Sequence, residues 1–87
     1  MTREERKACT YIGSAEIRKE NTTRRDNLVA AAEKAGFTVE CNEAIPISFS
    51  CDALPEIWAI TVYKAGKLTR EESMAARREL AAAWRGL

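Results

Sequence analysis

The chain has 87 residues, 46% hydrophobic and 31% charged, with a formal net charge of +1. That is the composition of one folded domain rather than a disordered segment, and no run of about 18 apolar residues offers a bilayer span. Histidine is absent, which removes the usual general base, the Ser-His and Cys-His nucleophile pairs and the commonest metal ligand.

Thr2 and Glu5 have capping-box spacing, and Ala8, Tyr11, Ile12 and Ala15 recur behind them at helical intervals. The spacing predicts a first helix over residues 3–15, although Cys9-Thr10-Tyr11-Ile12-Gly13 is also strand-prone and Gly13 interrupts either element. Residues 16–22 continue this helix or form a loop. Thr22 or Thr23 then caps a helix whose Leu28, Ala31, Ala32 and Ala35 form one apolar stripe. Gly36 stands where a left-handed residue ends a helix, with Phe37 positioned to fold back on the last turn.

Phe37 to Cys41 alternates as a strand. Asn42-Glu43-Ala44 reads as a turn, and Ile45 to Cys51 alternates as a second strand. Pro46 cannot donate to a ladder, which suits a strand start or a sheet edge. After the loop Asp52 to Glu56, Ile57 to Tyr63 is a third strand, apolar or β-prone at almost every position. Thr69 and Glu72 repeat the capping-box spacing and open a last helix with Ala76, Leu80, Ala83, Trp84 and Leu87 on its inner stripe. The expected fold is a single α+β domain: a three-stranded antiparallel meander with two or three helices packed on one face. The other face, toward Thr38, Glu40, Ser48 and Ser50, is expected to be wet.

Little in this pattern supports catalysis. Cys9, Cys41 and Cys51 lack zinc-site spacing, and Cys41 and Cys51 read as small buried hydrophobes, or as a disulfide if their strands are neighbours. An odd, low cysteine count fits free thiols and a cytoplasmic setting. So does an N-terminus that is charged without the apolar stretch of a secretory signal. The glycines are isolated, so no phosphate-cradling loop or cofactor motif is present. Glu4-Glu5 and Glu71-Glu72 suit the first turns of helices. A Ser-Lys pair would need a buried lysine, and every lysine lies in a polar or turn context.

Charge is segregated along the chain. Residues 1–25 carry seven Lys/Arg against four Glu, residues 26–56 one Lys against six acids, and residues 57–87 six Lys/Arg against three Glu. Helices richer in Arg than strands account for this; an acidic patch with basic flanks is the functional alternative. By elimination, the sequence predicts a non-enzymatic module without cofactor or metal. It would bind another protein as a regulator or inhibitor, the kind of accessory chain that phages and mobile elements encode. The candidate partner-binding residues are Glu40, Glu43, Arg24, Arg25, Arg77, Arg78, Trp84 and Arg85, together with a strand edge near Pro46. Closure of the core against the sheet suits Trp84 better than an interface does, and the edge or Trp84 offers a route to a homodimer. The alternative is weak nucleic-acid binding by the basic terminal segments. Glutamates interleaved among those residues and a pI near 7.7 argue against it.

Overall fold

A computed structural model describes residues 2–45 and 56–87. Its elements are α1 (Arg3–Lys7), β1 (Cys9–Arg18), α2 (Thr22–Lys34), β2 (Thr38–Ala44), β3 (Ile57–Ala65) and α3 (Arg70–Trp84). The fold is α+β with a three-stranded antiparallel sheet, as expected, but a different segment supplies one strand. The predicted first helix stops after five residues, and Cys9–Arg18 is a strand. Both halves of the sequence signal are therefore real: Thr2 and Glu5 form the capping box, and the β-prone run behind it pairs with β3.

The strand order is β1-β3-β2. β3 runs antiparallel to both neighbours, so β1 and β2 are parallel and flank it. This is a split β-α-β unit closed by α2, with a β2–β3 hairpin, rather than a meander. Asn42-Glu43-Ala44 continues β2 instead of turning. The predicted Ile45–Cys51 strand, apart from Ile45, lies outside the described residues, as do Pro46 and the Cys41–Cys51 pairing.

β3 sits at the centre with Trp58, Ile60 and Val62 along its inner face and Lys64 at the end of that row, over the Phe37 ring; Ile60 and Val62 have no exposed surface, each burial contributing about 1.5–3 kcal/mol. They pack with Ile12 and Ile17 of β1, Leu28 and Ala32 of α2, Ala76 and Leu80 of α3, and Phe37. Helices α2 and α3 cover this inner face. A register shift between Tyr11 and Gly13 marks a bulge in β1, so that Ile12 and Gly13 both turn inward. A Cβ on Gly13 would lie 3.2 Å from Leu80 Cδ2; the missing side chain is what lets α3 approach the strand.

The helix ends follow local chemistry. Asn21, not Thr22 or Thr23, caps α2 by accepting from Arg24 N. Gly36 takes φ +92°, and the bonds Gly36 N to Glu33 O and Phe37 N to Ala32 O make a Schellman turn that drives Phe37 into the core. Thr69 and Glu72 form the capping box of α3. Leu87, expected on the inner stripe, is exposed because α3 ends at Trp84.

Candidate functional site

The open face of the sheet is built from cross-strand rows: Tyr11–Tyr63–Thr38, Ser14–Thr61–Glu40, Glu16–Ala59–Asn42 and Arg18–Ile57–Ala44. Tyr11 and Tyr63 meet edge to face at 6.3 Å. Arg6 of α1 reaches across this face to Glu40 on β2, and Asn42 Nδ2 donates to the same carboxylate oxygen. Burial pushes the Glu40 carboxyl up, but the hydrogen bonds from Arg6 and Asn42 and the Arg6 charge outweigh it and hold it below its ordinary value. The second oxygen, Oε2, is buried without a hydrogen-bond partner.

On the inner side, where α2 meets the β2 edge, lies a groove of about 440 Å³. Asp26, Val29, Ala30 and Glu33 line it from one flank of α2, joined by Arg25, and Cys41 and Trp58 form its floor. The i, i+3, i+4, i+7 spacing of those four α2 residues makes them one surface. Trp58 is held firmly. Its indole N–H donates to Lys19 O at 3.2 Å, the Arg25 guanidinium lies 4.5 Å from the ring and Lys19 Nζ 5.7 Å. Arg25 also pairs with Asp26 at 2.9 Å. Burial pushes the Cys41 thiol up, reinforced by Asp26 and opposed by Arg25, so the thiol stays protonated near neutrality.

β2 is an edge strand: among the described residues, β3 is its only partner. β1 forms the other edge, but its bulge interrupts the ladder there. Among the described residues, the groove thus adjoins an edge at β2.

The structure brings some of the predicted residues together and scatters the rest. Glu43 pairs with Lys19 at 3.1 Å. Together with Arg6–Glu40 and Arg25–Asp26, this means that every ion pair among the described residues joins a basic residue of the first 25 to an acid of the middle segment. Folding thus neutralises much of the charge segregation seen in the sequence. Arg24 is exposed in the first turn of α2 and outside these pairs. Arg77 and Arg78 are exposed along α3, and Arg85 is exposed at the cap that follows it. Trp84 is half-buried against the core, and its indole N–H donates to Leu28 O at 2.9 Å, tying the end of α3 to α2. Of the candidate residues only Arg25 lines the groove. The α2 flank carried the missing signal, since Val29 and Ala30 lie on it between two acids, beside the core stripe.

Among the described residues, no group of three His, Cys, Asp or Glu side chains converges as a metal site, and no helix is long and apolar enough to cross a membrane. Compared with family models, curated proteins and solved structures, the chain matches none of them.

Proposed function

We propose that this protein is a non-enzymatic protein-binding module that takes an extended segment of its partner along the outer edge of β2, as a regulator or inhibitor. The observation that carries this reading is the coincidence of a free edge with an adjoining groove. An edge strand presents unpaired N–H and C=O groups that accept another strand, and a groove alongside reads its alternate side chains. The nucleic-acid alternative draws less support from the geometry. Arg6, Lys19 and Arg25 of the first basic segment are already engaged by Glu40, Glu43 and Asp26, which leaves fewer of its cations for phosphates.

Affinity capture with and without nuclease, followed by amide hydrogen exchange on the recovered complex, tests this. The expected result is a stoichiometric protein retained after nuclease and moderate salt, with slowed exchange along Thr38–Ala44. Capture that needs nucleic acid and falls steeply with salt would overturn it. So would a retained protein that leaves β2 exchange unchanged.

A further inference from the structure

The groove beside β2 has a chemistry that specifies one position of the segment it would accept. We infer that it is a subsite for a single long basic side chain, arginine or lysine, on an extended peptide; this rests on the β2-edge reading above.

A segment paired to the outer edge of β2 lies about 4.8 Å from it and sends alternate side chains toward the helix layer. Cys41 marks the inner face of β2 at the groove floor, so an inward side chain opposite it enters the groove. Asp26 and Glu33 line the groove from the α2 side, beyond the reach of a short side chain that starts at the β2 edge. A long unbranched one lays its methylenes along Cys41, Val29 and Ala30 and brings its tip to the level of Asp26 and Glu33.

The charges there are uneven. Asp26 is compensated by Arg25, whereas Glu33 is in no ion pair among the described residues. One uncompensated carboxylate over an apolar stem channel favours an aliphatic chain ending in a cation and disfavours an anion. Arg25 does not compete for Glu33, being held over the Trp58 ring.

Cys41 supplies a built-in reporter. The probes are capped pentapeptides Thr-Val-X-Val-Thr with X as arginine, norleucine or glutamate, and n-butylguanidinium alone. The readouts are amide shifts along Thr38–Ala44 and the rate of Cys41 alkylation, mapped by mass spectrometry to separate it from Cys9 and Cys51. The expected order is arginine over norleucine over glutamate for both shift and protection. Glu33→Gln should shrink the arginine preference about threefold, as the loss of one exposed charge pair would. Glu33 is exposed on α2, so this variant keeps the fold. Equal binding of arginine and norleucine peptides, with β2 shifts, would overturn the subsite and leave the edge reading standing. Protection of Cys41 by n-butylguanidinium without β2 shifts from any peptide would support the subsite and sink the edge reading. No protection by any probe would overturn the subsite.

Discussion

The two faces of the sheet solve different problems with neighbouring residues. On the inner face Ile60 and Val62 vanish beneath two helices; on the open face their chain neighbours Ala59, Thr61 and Tyr63 remain partly exposed. The inner face is held by apolar contact and by two indole hydrogen bonds, Trp84 to Leu28 and Trp58 to Lys19. On the open face, the described residues show the Tyr11–Tyr63 pair, the Arg6–Glu40 ion pair to a five-residue helix and two exposed side-chain hydrogen bonds, Asn42 to Glu40 and Tyr11 to Ser14. Stability is thus concentrated on one side. The proposed recognition falls at the border, where α2 meets the β2 edge, which among the described residues pairs only with β3.

The widest test of this contrast uses adjacent positions. Ile60→Ala should cost about 2–5 kcal/mol by urea unfolding, because it opens a cavity at the centre of the core. Thr61→Ala, one residue on and facing outward, should stay within about 0.5 kcal/mol. Equal losses would mean that the open face is as closely packed as the inner one. Gly13→Val comes next, at about 1–3 kcal/mol in the same assay, since its new side chain must displace Leu80 or the α3 backbone.

The open face has its own signature in acid. Glu40 titrates below its ordinary 4.5 in the folded protein, so its stabilising contribution is fully present above the unfolded value and is lost as pH falls through the folded one. Arg6→Ala should therefore flatten the stability profile below about pH 4.5, the ordinary carboxylate value, while leaving the Ile60→Ala loss unchanged at neutral pH. The smallest effect is a gain. Arg24 sits in the first turn of α2, which holds no acidic residue, and a cation there opposes the helix dipole. Arg24→Glu should raise the melting temperature, corresponding to about 0.3–1 kcal/mol.

Helices α2 and α3 were legible because their signals are local: cap, stripe and terminal glycine lie within one segment. β1 was legible only as a strand-prone run over Cys9 to Gly13, and helical spacing overrode it for a specific reason. The bulge at Ile12 turns two successive residues inward and breaks the two-residue alternation between Tyr11 and Ser14. What remains mimics helical spacing, and a genuine capping box precedes it. The groove was hidden for the opposite reason, since its floor comes from β2 and β3 and its wall from α2. No single window contains both. The inner position of Cys41 was nonetheless readable from its alternation with Val39.

The pairing of β1 with β3 also sets a timetable. Its register joins Cys9 to Ala65 and Arg18 to Ile57, so among the described residues β1 leaves the ribosome well before the strand it pairs with. At about 5–20 residues per second, β1 waits on the order of seconds before its partner is made. During that interval Ile12 and Ile17 have no sheet to enter. Glu16 and Arg18 beside them, with a bulge that spoils a regular edge, guard this nascent strand against the wrong neighbour.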